Sequence, residues 1–178
     1  MEKKHKSPLL ESLRTVIVLT LVCAVITAVV SGINALTLPK INANLDAEMN
    51  AAFVEMFGEG MSFSVLNIDS SANAVYKVRA DGKTYYSVNI SSPGFESDIM
   101  MLVSFEESGK IAGVKIISQG ETPGIGTRVD DDSFLSRFIG KSSPDEVDSL
   151  TGATISSKAV KTGIREAREI LVSNNLIG

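Results

Sequence analysis

Val75-Tyr76-Lys77-Val78-Arg79-Ala80-Asp81-Gly82-Lys83-Thr84-Tyr85-Tyr86-Ser87-Val88-Asn89-Ile90 decides the fold. Residues 75–79 and 84–90 are rich in β-branched and aromatic side chains at a period of two. The Asp81-Gly82 pair between them tolerates positive φ, so the stretch reads as a β-hairpin. The same grammar recurs further on. Residues 99–106 and 110–118, full of Met, Leu, Val, Phe and Ile, flank a turn at Ser108-Gly109 and predict a second hairpin.

Working outward, the period changes on both sides. Ahead of the hairpins, Leu38, Ile41, Leu45, Met49, Ala52, Phe53 and Met56 recur at helical spacing, with Pro39 as the expected break before them and Gly58 as the stop. The methionines of that helix read as core packing. Behind the hairpins, Gln119-Gly120-Glu121-Thr122-Pro123-Gly124-Ile125-Gly126-Thr127-Arg128 is a loop whose glycines let a backbone approach something closely. A short helix over 133–139, capped by Asp132 or Ser133, is expected next. The run Asp130-Asp131-Asp132 lacks the alternating spacing of a calcium loop and reads as a solvated helix start. The last helix is expected over about 156–173. Val160, Ile164, Ala167 and Leu171 form its buried stripe, and Lys161, Arg165, Glu166, Arg168 and Glu169 its wet side. An antiparallel sheet packed by helices, an α+β domain, is the architecture this pattern predicts.

Further out lies a segment of a different kind. Residues 15–38 hold 24 positions without a charge, leaving 14 residues before and 140 after within a chain of 178. At about 1.5 Å per residue the run reaches roughly 36 Å, enough to cross a hydrocarbon core of about 30 Å. A signal-peptide apolar region is shorter, about 7–15 residues. The best cleavage position, after Ala35, also has bulky Ile33 two residues earlier, so the segment is expected to stay as an anchor. Lys3, Lys4, Lys6 and Arg14 precede it against Glu2 and Glu11, which places the N-terminus in the cytoplasm. Residues 39–178 carry 13 basic and 19 acidic side chains, net −6, and are expected outside the cytoplasm. The organisation is then a cytoplasmic basic tail at 1–14, a transmembrane helix at 15–38 and an extracytoplasmic domain at 39–178.

Composition removes several function classes. A net charge of −4 and a pI near 5.1 argue against a nucleic-acid binder, and 44% hydrophobic residues against a disordered chain. Cys23 is the single cysteine and reads as an apolar filler of the span, because Val22 before it is too large for a lipoprotein site. No disulfide framework or cysteine metal site follows from one cysteine. His5 is the single histidine and belongs to the cytoplasmic tail, which excludes histidine catalysis in the outer domain.

Chemistry concentrates in Asp148-Ser149-Leu150-Thr151-Gly152-Ala153-Thr154-Ile155-Ser156-Ser157-Lys158. Gly152 and Ala153 leave room, and the first N–H groups of the following helix favour an anion. Lys158 and Lys161 add positive charge. The residues alone leave two readings open: a phosphate-sized pocket surrounded by hydroxyls, or an ordinary helix cap made by Ser156 or Thr154.

The strings Asp-x-x-Thr-Gly-Ala-Thr at 148–154 and Glu-Thr-Pro-Gly-Ile-Gly at 121–126 resemble the FMN-binding domain family. With one N-terminal span, the chain looks like the G subunits of Rnf ion-pumping ferredoxin:NAD oxidoreductase complexes. The Pro93-Gly94-Phe95 turn stands where that family often has Gly-Tyr. The resemblance implies one FMN joined through a phosphoester bond to Thr154, the second Thr of Thr-Gly-Ala-Thr, installed by a flavin transferase. Thr151, Gly152, Ala153, Ser156, Ser157 and Lys158 would surround the phosphate. Glu121, Thr122, Gly124, Ile125, Gly126 and Thr127 would meet the isoalloxazine ring. It further implies an electron carrier in the cell membrane, partnered by the other Rnf subunits, with the cofactor carrying the chemistry and no catalytic side chain. The corresponding C subunits of sodium-pumping NADH:quinone oxidoreductases share the motif but are usually longer. A flavin-free membrane-anchored sensor or binding module, and a flavin reductase acting alone, are the readings from other classes.

Overall fold

The structure is a computed structural model that describes the backbone of residues 8–178 and the side chains of residues 14, 16–34 and 47–178. The expected cytoplasmic residues Lys3, Lys4, His5 and Lys6 lie outside the described residues, as do the side chains of Leu38, Ile41 and Leu45. The described residues fall into two compact units, one ending at Ala47 and the other spanning Glu48–Gly178.

Helix α1 covers Pro8–Phe57 and carries the apolar run. Within it Val16–Asn34 has a mean hydropathy of 2.8 and no buried side chain, so it is long and apolar enough to cross a membrane. Two of its polar side chains turn back on the helix. Thr20 Oγ1 donates to the Val16 carbonyl at 2.9 Å and Thr27 Oγ1 to the Cys23 carbonyl at 2.8 Å, the arrangement an apolar surrounding demands. The expected break at Pro39 is corrected: the helix runs on through it. A proline removes a single i→i−4 bond and crowds one carbonyl, whereas helix-forming residues extend on both sides, so the local break signal loses.

The second unit is built on a five-stranded antiparallel meander in the order β1-β2-β3-β4-β5. The strands are β1 Ser62–Leu66, β2 Ala74–Ala80, β3 Lys83–Pro93, β4 Asp98–Glu106 and β5 Ile111–Ser118. Both expected hairpins are present. Asp81 and Gly82 adopt φ of 51° and 74°, the left-handed pair that a two-residue turn between twisted strands requires. Strand β1 was not expected. It pairs only with β2, and its residues remain largely exposed, with Phe63 at 38% and Val65 at 60%. The alternation Met61-Ser62-Phe63-Ser64-Val65 is the period-two signal that marks it in the sequence.

The sheet is covered on both faces. On one, Val88, Ile90, Ile99, Met101, Val103 and Phe105 pack against helix α3, Thr154–Ser173, through Val160, Ile164, Ala167 and Leu171. These four are the stripe the sequence predicts. On the other, Tyr76, Val78 and Leu102 receive Met49, Ala52 and Phe53 from the end of α1. That second face has polar components: Ser87 Oγ and Ser104 Oγ lie 2.7 Å apart with both residues fully buried, and Asn89 Nδ2 donates to Met49 Sδ at 3.5 Å.

Between β5 and α3 the chain makes short turns. The single helix expected over 133–139 is instead α2, Asp132–Leu135, followed by a 3-10 turn at Ser136–Phe138. Neither Asp132 nor Ser133 caps it. The preceding residue is Asp131, and no side chain bonds the helix start. Phe134 and Phe138, in edge-to-face contact at 5.2 Å, bury this piece, so packing rather than capping decides its extent. A 3-10 turn at Pro144–Glu146 is tied to α3 by Arg165, which reaches Asp145 at 2.8 Å, and by Lys161 Nζ, which donates to the Val147 carbonyl at 2.9 Å.

Candidate functional site

Three segments meet beside the start of α3: the turn between β3 and β4, the loop after β5, and the Thr-Gly-Ala-Thr string. The turn is closed by Gly94 N–H donating to the Ser97 carbonyl at 2.9 Å. Its next three N–H groups converge on one oxygen. Phe95, Glu96 and Ser97 donate to Glu121 Oε1 at 2.9, 3.1 and 3.4 Å. Glu121 Oε2 accepts from the Ser156 hydroxyl, in the first turn of α3. One buried carboxylate, 4% exposed, thus ties two separate elements to its own loop. Burial alone would raise its pKa, but the Ser156 hydroxyl and the three backbone donors outweigh that and hold it below the usual glutamate value.

Close approach explains two glycines here. A Cβ on Gly126 would meet Glu121 Cβ and Oε2 at 2.8 Å and Ser156 Oγ at 3.1 Å, and one on Gly94 would overlap Glu121 Oε1. The loop is closed on itself by N–H groups of Ile125, Gly126 and Thr127, which donate to the Thr122 carbonyl at 3.2, 3.0 and 3.3 Å.

The three segments enclose a cavity of about 400 Å³, within the range of about 300–1,000 Å³ common for small-molecule sites. Eight of the residues singled out from the sequence line it: Glu121, Thr122, Ile125, Gly126, Gly152, Ala153, Thr154 and Ser156. Phe95 and Ile155 line it too, and both are more than half exposed. Neither was singled out. Phe95 lies in the turn quoted for the family resemblance, and Ile155 is the one apolar residue among hydroxyls.

The remaining sequence-expected residues stand elsewhere. Gly124 has φ of 74° and donates its N–H to Thr127 Oγ1 at 2.9 Å, so both shape the loop from outside the cavity lining. Ser157 is fully buried. Its hydroxyl donates to the Ala153 carbonyl at 2.8 Å and accepts from Leu150 N–H at 3.0 Å, which makes it a brace for the turn. Thr151 is exposed outside the lining, and its carbonyl accepts from Arg128 Nη1 at 3.2 Å. Lys158 is exposed one turn along α3.

The helix start itself differs from the cap reading. Helix α3 begins at Thr154, two residues earlier than expected, and no side chain caps it; the residue before it is Ala153. The first N–H with an intrahelical acceptor is that of Ser157, to the Ala153 carbonyl at 2.9 Å. The preceding N–H groups and the positive end of the helix dipole are therefore available to an anion at the cavity. Of the hydroxyls nearby, those of Ser156 and Ser157 are buried and bonded, whereas Thr154 is exposed to the cavity. The cavity lining thus combines a helix start with the apolar side chains of Phe95, Ile125 and Ile155.

Residues 94–169 match the FMN-binding domain, and this span contains both motifs and every cavity residue. The G subunit of a proton-translocating ferredoxin:NAD(+) oxidoreductase complex from Clostridium ljungdahlii is 36% identical over 106 residues, covering 53% of this chain and 57% of that protein. The match therefore spans little more than half the length of that relative. The G subunit of an ion-translocating oxidoreductase complex from Haemophilus influenzae is 24% identical over 185 residues, covering 89% of this chain and 88% of the relative. Two solved structures share the fold. The C subunit of the Na(+)-translocating NADH-quinone reductase from Parabacteroides distasonis has a TM-score of 0.51 at 24% identity, covering 59% of this chain and 63% of its own. NqrC from Shewanella oneidensis reaches 0.55 at 22% identity, covering 69% and 87%.

Proposed function

We propose, for a chain related to the G subunits of ion-translocating oxidoreductase complexes and carrying an FMN-binding domain, a membrane-anchored electron-transfer role with one FMN bound covalently at Thr154. Its place is in an Rnf-type ferredoxin:NAD oxidoreductase, beside the other membrane and peripheral subunits, after maturation by a flavin transferase. The single observation that carries the attachment is the contrast among hydroxyls: Thr154 is the exposed one in the cavity lining at an uncapped helix start, while Ser156 and Ser157 are buried and already bonded.

The flavin supplies the redox chemistry, accepting and releasing electrons that no side chain here would carry. The chain's own residues bind and orient. The N–H groups at the start of α3 offset the charge of a phosphodiester at Thr154, with exposed Lys158 four residues along the helix and Arg128 bonded to the Thr151 carbonyl. Phe95, Ile125 and Ile155 offer apolar surface to the ring, and Gly126 keeps the loop close. The apolar helix Val16–Asn34 supports membrane anchoring, and the basic residues Lys3, Lys4, Lys6 and Arg14 ahead of it support a cytoplasmic N-terminus with the domain outside.

The test is Thr154→Val, which keeps the side-chain shape and deletes the nucleophilic oxygen. In full-length protein co-expressed with a flavin transferase, wild type gives a fluorescent band on a denaturing gel and the variant gives none while remaining folded. A flavinylated variant with the added mass on Thr151 would overturn the assignment. Wild-type protein without flavin would favour the flavin-free binding module.

A further inference from the structure

We propose that Glu121 sets the reduction potential of the group held at Thr154 by placing a fixed negative charge in the cavity wall, tempered by the Ser156 hydroxyl. The inference rests on the reading that FMN occupies the cavity. It starts from a cost: a carboxylate 4% exposed is expensive to bury, and nothing in a purely structural clamp requires a charge. A glutamine at the same place would accept the same three N–H bonds through its amide oxygen and donate to the Ser156 hydroxyl through its amide nitrogen. A neutral side chain thus serves the three backbone bonds as well and keeps the contact to Ser156 with its direction reversed, which leaves the charge itself to be explained.

The charge is placed where it acts. Glu121 lines the cavity, and its carboxylate draws its donors from the 95–97 turn, of which Phe95 lines the cavity, and from Ser156, which lines it too. Among the described residues no cation forms an ion pair with it. The ion pairs there join Lys115 to Glu55, Lys141 to Glu146, and Lys161 and Arg165 to Asp145, all outside the cavity lining. In a protein wall such a charge is felt more strongly than in water. Reduction adds electrons to the bound ring, so a neighbouring anion disfavours the reduced form and lowers its potential. Each donor to the carboxylate spreads that charge. Removing the charge and removing a donor therefore push the potential in opposite directions.

Two variants exploit the opposition. Full-length wild type, Glu121→Gln and Ser156→Ala are co-expressed with the flavin transferase, purified in detergent and titrated with dithionite in the presence of redox dyes. Glu121→Gln shifts the midpoint to more positive values with the flavin still attached, and Ser156→Ala shifts it to more negative values. A flavinylated Glu121→Gln protein with the wild-type midpoint overturns the proposal. So does Ser156→Ala moving the midpoint upward, because general loosening of the site would move both variants the same way. If Glu121→Gln does not fold, the sign of the Ser156→Ala shift decides alone. Wild type lacking flavin would instead overturn the reading on which the inference rests, so the two failures are distinct.

Discussion

At Glu121 the hydrogen bonds that hold the carboxylate also make it a pH-dependent part of the fold. Its pKa is lowered in the folded domain from the ordinary value of 4.5. A depressed carboxylate pKa means stabilisation that is complete above the unfolded value and lost as the pH falls through the folded one. The domain should therefore lose stability on acidification below about pH 4.5, and Glu121→Gln should flatten part of that slope. Melting curves of both proteins between neutral pH and pH 3 check this. Equal slopes would show that the carboxylate is protonated alike in both states. Exposed Glu146, lowered by the N–H groups of Ser143 and Ser142, contributes to both curves and cancels. The sequence offered Glu121 as a ring contact by motif, but its role as a clamp was hidden. An acid among glycines reads as solvated, and its burial depends on N–H groups at 95–97, some 25 residues away. Likewise, Gly124 and Gly126 look equivalent in the sequence. Their roles separate only in space: one turns the loop at positive φ, the other makes room for Glu121 and Ser156.

Elements were legible where a strong period and a specific turn coincide. Strands β2 to β5 and the stripe of α3 meet that condition, and Asp81-Gly82 is the sharpest of their signals. Placing a β-branched residue at a φ of 74° costs about 1–2 kcal/mol, so Gly82→Val should lower the melting temperature. Unchanged melting would mean that the hairpin turn relaxes to another type. Strand β1 carries the period-two alternation at 61–65 but no specific turn follows it, and the passage of α1 through Pro39 and the extent of α2 were not legible. Tertiary packing holds β1 and α2 in place: Phe63 packs on Phe53 with ring centroids 4.8 Å apart, and the edge-to-face contact of Phe134 with Phe138 closes the short helix.

For the molecule as a whole, the charge asymmetry across the apolar run argues for a cytoplasmic N-terminus and a domain of net charge −6 outside. Protease added to intact spheroplasts should digest the domain and spare a fragment that begins ahead of residue 15, identified by N-terminal sequencing. A mature chain starting near residue 36, or a domain protected until the cells are broken, would refute the anchor or its orientation. The α+β architecture was legible because two hairpins and one amphipathic helix fix most of the sheet and one covering layer. The site was legible as two motifs, but the distance between them, about 30 residues, gave no hint that one carboxylate joins their segments.

The bare start of α3 has a consequence for the life of the protein before maturation. A good N-cap is worth about 1 kcal/mol, and this helix begins after Ala153 without one. On the proposed reading, the phosphate on Thr154 completes the helix that the polypeptide leaves open, and newly made chains carry a deficit that only loading repairs. On that reading the prosthetic group would double as a maturation stamp. Chains that miss the transferase would unfold more often and be cleared first, so the membrane would be stocked with electron carriers already able to carry.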